Sequence, residues 1–209
     1  VYNIKMGYKI NGKDVGHDPD SFDRSDAYKQ YFDRVGNNKE NITVINNFLD
    51  DQACDELINY TKLFNGTRIP CQWDENGQEC NWFQVFNNPP MQSFAWLFDK
   101  VSALIENSFS VKIIPRPNQP ICVVKWDAGT SLGVHIDDIG NPNASPLASI
   151  IYLNDDYEGG ELYFLDHDLL IKPKKGDLIY FPGTYNFAHE VKTVISGTRY
   201  TVPLWYDIV

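Results

Sequence analysis

The stretch ASIIYLNDDYEGGELYFLDHDLLIKPKKGDLIYFP, residues 148–182, decides the fold. Its runs ASIIYLN, ELYFLD, LLIKP and DLIYFP are short and rich in β-branched and aromatic residues, as strands are. DDYEGG and PKKG between them carry the Gly, Pro and Asp that tight turns need. No segment long enough for a crossover helix separates the runs, which argues against a parallel α/β sheet.

Outward from there the pattern continues. ICVVKW (121–126), AHEVKTV (188–194) and RYTVPLWY (199–206) complete seven short strands, punctuated by DAGTS, NPNASP, PGTYN and SGT. Upstream, ITVINNF (42–48) alternates like a strand. DDQACDELINYTKLF (50–64) reads as a helix capped by Asp50 or Asp51, with Cys54, Leu57, Ile58 and Phe64 on its apolar face. A second helix follows Asn88-Pro89-Pro90, with Phe94, Leu97, Phe98, Val101, Leu104 and Ile105 at helical spacing. The expected fold is mainly β with flanking helices: a double-stranded β-helix (jelly roll, cupin-like) with two N-terminal helices packed outside. Residues 1–40 read as a polar N-terminal arm, partly helical near 25–34. Residues 41–209 read as a single domain with its jelly roll at about 110–209. GTRIPCQWDENGQECNW (66–82) reads as a long loop.

Composition narrows the function. At 209 residues the chain can bury one good core, and 12 Tyr, 12 Phe and 5 Trp suit a β-rich interior. A net charge of −10 argues against a nucleic acid partner. The one basic cluster, Lys172, Lys174 and Lys175, reads as a solvated turn. There is no apolar run of about 18 residues to cross a membrane, and no leader-like start. Of the four cysteines, Cys54 and Cys122 read as buried, whereas Cys71 and Cys80 flank a polar loop and could be bridged. Reduced thiols and a cytoplasmic location are the expectation. The sequence sets no oligomeric state.

The chemistry begins at SLGVHIDD, residues 131–138. On an extended segment residues i and i+2 share a side, so His135 and Asp137 aim together while Ile136 turns away. Two histidines and a carboxylate on one face, with open positions opposite, form the facial triad of non-haem Fe(II) sites. His17 in the arm and His167, between two acids at a turn, read as surface residues. His189, on a β segment far along the chain, could reach the first pair.

WDAGTSLGVHIDD, IIYLNDDYEGGELYF, PKKGDLIYFPG and AHEVKTVISGTRYTVPLW, spanning about 120–206, resemble the 2-oxoglutarate- and Fe(II)-dependent oxygenases, above all their prolyl 4-hydroxylase-like branch. The resemblance implies that His135, Asp137 and His189 hold Fe(II) and that Arg199 binds the remote carboxylate of 2-oxoglutarate. A planar, permanently charged guanidinium suits that carboxylate. Thr201 faces the same side and can add a hydroxyl, and Tyr152 matches a family tyrosine at the same carboxylate. Trp126 stands where many members have tyrosine, and an indole donates a hydrogen bond but accepts none.

The resemblance further implies O2 as oxidant, with ascorbate as a candidate reductant, and a proline-containing peptide or protein as substrate. A free amino acid or other small metabolite is the alternative, and a nucleobase ranks third. Loops 65–82 and 138–147 are expected to close over substrate, and Trp73, Trp82, Tyr163, Tyr185 and Phe187 could line a groove for it. Two other classes compete. A zinc hydrolase would need a general base, with Asp138 or Glu190 adjacent. A non-catalytic jelly-roll binding or structural protein would need neither ligands nor anchor. Related halogenases lack the carboxylate ligand, which Asp137 supplies here.

Overall fold

The computed structural model describes residues 9–10, 13–14, 26–73, 79–116, 119–137 and 147–209. In chain order the first half contains β1 (Lys9–Ile10), β2 (Lys13–Asp14), α1 (Asp26–Val35), β3 (Thr43–Ile45), α2 (Asp51–Lys62), β4 (Thr67–Trp73), β5 (Glu79–Phe86) and α3 (Trp96–Phe109). Next come β6 (Ile113–Pro115), β7 (Val123–Asp127), β8 (Leu132–His135), β9 (Leu147–Tyr152), β10 (Glu158–Gly159), β11 (Leu162–Phe164) and β12 (Leu169–Ile171). The chain ends with β13 (Leu178–Pro182), β14 (His189–Val191), β15 (Val194–Ser196) and β16 (Thr198–Ile208).

Two antiparallel sheets form the jelly roll. The larger has the order β3-β13-β9-β16-β7-β5-β4, with β6 also on β16; the smaller has the order β12-β11-β14-β8. β16 is the spine of the larger sheet, pairing with β7 through its first half and with β9 from Thr201 to Tyr206. Its alternation sorts two environments. Arg199, Thr201, Pro203 and Trp205 line a cavity between the sheets, while Val202, Leu204 and Tyr206 point into the hydrophobic core.

The helices cover that second face. Asp50 caps α2, its side chain accepting the Ala53 N–H at 2.8 Å. In α3, Leu97, Val101 and Ile105 are fully buried, each contributing about 1.5–3 kcal/mol of apolar burial. Phe98 meets Tyr206 edge-on, and Ser108 Oγ lies 2.7 Å from Tyr180 Oη, which ties α3 to the sheet. None of the described helices is long and apolar enough to cross a membrane.

Two expectations change. Residues 66–82 are not one loop: β4 and β5 make a hairpin with Ile69 opposite Phe83 and bulges after Pro70 and Gln72. β4 is an edge strand, where proline is tolerated, and its polar alternate residues hid the pattern. The helical part of the arm is also not peripheral. Tyr31 and Val35 of α1 are buried in the main core, with Tyr31 edge-on to Phe109.

Candidate metal centre and anion pocket

His135 ends β8 and His189 begins β14, and the two are direct cross-strand partners. Their ring centroids lie 4.3 Å apart. Asp137 follows two residues after His135, so its carboxylate returns to the same side. One ligand atom from each of His135, Asp137 and His189 falls within 4.8 Å of the others. The pairing of strands 54 residues apart in sequence, by their register, is what assembles the group.

Each histidine is held in the tautomer a metal requires. His135 Nδ1 faces the Gly133 carbonyl at 2.8 Å, and His189 Nδ1 faces the Phe187 carbonyl at 3.0 Å. A carbonyl only accepts, so both Nδ1 atoms carry the proton and both Nε2 lone pairs are available. Burial pushes the His189 imidazole down to about 4, with neighbouring His135 adding to the effect and Asp137 opposing it. At neutral pH the 3.6 Å approach of His189 Nε2 to Asp137 Oδ2 is therefore not an ion pair but two donors aimed at one point. The residues present fit a divalent cation.

Asp137 is anchored from two directions. Trp205 Nε1 donates to Asp137 Oδ1 at 2.9 Å. Arg116 Nη1 donates to the Asp137 backbone carbonyl at 3.3 Å, while its Nε donates to Asp207 Oδ1 at 3.0 Å. Sequence reasoning missed Trp205 and Arg116. Trp205 was findable, because it continues the alternation of Arg199 and Thr201 along β16; Arg116 gave no local signal.

The other end of the cavity is positive. Arg199 is 1 % exposed and lies between two rings, 4.9 Å from the Trp126 centroid and 5.0 Å from that of Tyr152. Its Nε and Nη1 have no hydrogen-bond partner, and no described carboxylate pairs with it. A buried cation left with unspent donors calls for an anion. Trp126 Nε1 donates to Thr201 Oγ1 at 3.1 Å, which leaves the Thr201 hydroxyl proton free for that anion. Tyr152, directly opposite Thr201, sits beneath the guanidinium and off the cavity wall. The cavity holds about 350 Å³, with Ile69, Phe83, Val85, Trp126 and Trp205 forming apolar walls.

Other expected roles fall away. Of the aromatics expected in a groove, Trp82, Tyr163 and Phe187 do not line the cavity. Trp82 stacks under Arg68, Tyr163 bonds Asp168 on the outer face, and Phe187 is core. The side chains of Trp73, Tyr185 and Cys80, along with His17 and loop residues 138–146, lie outside the described residues. His167 is half-buried against Phe187 at 5.0 Å, because that ring covers its turn. Glu190 bonds Lys192 at 2.6 Å, which spends the base a zinc hydrolase would need there.

Residues 121–207 match the family model of the 2OG-Fe(II) oxygenase superfamily. Human prolyl 3-hydroxylase 2 is 39% identical over 66 residues, 29% of this chain and 9% of that protein, so the match spans about a tenth of the relative's length. A PKHD-type hydroxylase of Psychrobacter sp. is 28% identical over 183 residues, 78% of this chain and 67% of the relative. The solved viral collagen prolyl hydroxylase from Paramecium Bursaria Chlorella virus-1, in its 2OG complex, shares the fold with a TM-score of 0.60 at 21% identity, covering 82% of this chain and 98% of that one.

Proposed function

We propose that the chain, matched to the 2OG-Fe(II) oxygenase superfamily through residues 121–207, hydroxylates a prolyl residue of a peptide or protein. Fe(II), 2-oxoglutarate and O2 are the family's cofactor and cosubstrates. In this reading His135, Asp137 and His189 hold the iron. Arg199 and Thr201 take the remote carboxylate of 2-oxoglutarate, with Tyr152 behind them.

The observation that carries the proposal is the pairing of a His-Asp-His cluster with a buried guanidinium that has no carboxylate partner among the described residues, across one cavity. Bound iron supplies O2 activation coupled to decarboxylation of the keto acid. The protein's part is orientation and dryness. The two backbone carbonyls fix the imidazoles, Trp205 and Arg116 fix the carboxylate, and Arg199 sets the angle at which the keto acid meets the ligands. Phe164 and Phe181 press on His189 with centroids 5.4 and 4.8 Å away and keep water from that side.

The wall also bears on substrate. Its charged groups among the described residues are Asp137 and Arg199, both engaged in this reading, apart from the two histidines. A zwitterionic amino acid would find no spare charged group to pair with either of its charges. An uncharged pyrrolidine inside a peptide bond needs none, and Ile69, Phe83 and Trp205 offer it apolar surface. The relatives named for prolyl hydroxylation support the same reading.

Proline-rich peptides incubated with protein, Fe(II), 2-oxoglutarate and ascorbate should gain one oxygen on proline, with matching succinate, by mass spectrometry. Iron-dependent succinate formation with oxygen added to free amino acids and not to peptides would overturn the substrate assignment.

A further inference from the structure

Behind Arg199 lies a second polar group that no part of the cavity wall explains. Tyr157, in the turn NDDYEGG, is 8 % exposed, and its buried hydroxyl makes no close hydrogen bond but lies within interaction range of Arg199. The Tyr152 hydroxyl and the Arg199 Nε and Nη1 likewise lack a close partner, and both phenols interact with the guanidinium. These orphans belong to one place. A Cβ built on Gly160 would stand 3.0 Å from Arg199 Cδ and 3.2 Å from Tyr157 Cε2, so both side chains pack into the space that glycine leaves open. Gly160 has φ +67°, a conformation that favours glycine in its own right. From the other side, a Cβ on Gly197 would stand 3.0 Å from Tyr157 Cα. Two glycine turns thus clasp the tyrosine beneath the arginine.

Neither Tyr152 nor Tyr157 lines the cavity that holds the metal cluster and Arg199. As a plug, phenylalanine would serve better, because an unpaired buried hydroxyl costs about 1–3 kcal/mol. An arginine offers donors only, whereas a phenolic oxygen accepts. A carboxylate in the same position would neutralise the guanidinium and compete with an incoming anion. A hydroxyl orients the fork without removing its charge. Burial pushes the Tyr157 phenol up to about 12, against the opposing Arg199 charge, so it stays neutral at working pH.

We propose that Tyr157 is a positioning residue for the anion pocket: its hydroxyl accepts from an Arg199 N–H, a contact that tightens once a dicarboxylate is bound, and so fixes the aim of the guanidinium. This rests on the oxygenase reading of the cavity. It goes beyond that reading in assigning a role to a side chain outside the cavity wall.

The test compares two ligands that both chelate the metal, of which only one is long enough to reach Arg199. Calorimetry on Mn(II)-loaded protein measures 2-oxoglutarate and oxalate binding to wild type and to Tyr157→Phe, with thermal melting to verify the fold. The expected result is about tenfold weaker 2-oxoglutarate binding in the variant, unchanged oxalate binding, and a ligand-free melting point equal to or above wild type. In turnover the change should fall on the KM for 2-oxoglutarate and not on kcat. Unchanged affinity for both ligands, or equal loss for both, would overturn the assignment. A wild-type protein that binds oxalate but shows no advantage for 2-oxoglutarate would instead sink the reading of Arg199 on which it rests, and the assignment with it.

Discussion

Replacing Trp205 by phenylalanine isolates one hydrogen bond to a candidate metal ligand. Trp205 Nε1 reaches Asp137 Oδ1 at 2.9 Å, and the acceptor is a carboxylate whose other oxygen faces His189. A hydrogen bond to a charged group contributes about 1.5–3 kcal/mol. Loss of an outer partner of a metal ligand costs roughly 10–100-fold in affinity. At about 1.4 kcal/mol per decade the two ranges coincide. Phenylalanine keeps a ring against the cavity, so the apolar contact largely survives and the N–H is what disappears. The carboxylate borders the cavity, where water can take the vacated place, so the metal-free fold should hold. Anaerobic calorimetry with Fe(II) or Mn(II) should therefore show metal binding weakened roughly 10–100-fold, with the metal-free melting point little changed. An affinity within about twofold of wild type, in a folded variant, would refute the idea that the indole orients Asp137.

Three further outcomes follow from the packing and the charges. Folded His189 takes a proton only near pH 4, against 6.5 for an ordinary histidine, so between those values the unfolded chain binds more protons. The metal-free protein should then lose up to about 3 kcal/mol as pH falls through that window, a slope that urea melts should find flattened in His189→Gln. Arg116→Met strips Asp207 of its partner in a pair whose side chains are each 11% exposed. Urea melts should register about 3–5 kcal/mol of destabilisation, much of it recovered when Asp207→Leu is added, and no recovery would contradict the ion-pair account. Leu97→Ala, in the α3 face that is fully buried, should cost about 2–5 kcal/mol by the same method, and a cost below about 1 kcal/mol would mean that α3 is not packed on the sheet as described.

Much of the fold is legible in the sequence because its strands are short, apolar at alternate positions and bounded by glycine and proline turns. The run from Leu147 to Trp205 shows this, and α3 is equally readable from Leu97, Val101 and Ile105. β4 and β5 escape the same reading because an edge hairpin needs only one apolar face. Ile69, set between Arg68 and Pro70, does not announce a strand on its own. α1 reads as part of the arm because Tyr31 and Val35 are its only described core residues, one turn apart in a polar segment.

The candidate site divides the same way. His135 and Asp137 are two residues apart, and strand periodicity alone aligns them. His189 comes to them through the register of β14 on β8, which no local pattern encodes. The aromatic wall is illegible in the sequence for a related reason. Tyr163 and Trp82 are as aromatic as Phe83 and Trp126, but which face a side chain takes depends on bulges and pairing that only the folded sheet reveals.

The central claim is that His135, Asp137 and His189 hold one ferrous ion within reach of a keto acid anchored on Arg199. Anaerobic addition of Fe(II) and then 2-oxoglutarate, followed by visible absorption, tests it most directly. A charge-transfer band that saturates at one equivalent of iron, vanishes in His135→Ala and His189→Ala, and needs far more 2-oxoglutarate in Arg199→Ala is the result expected. A band of the same intensity in the histidine variants would contradict it.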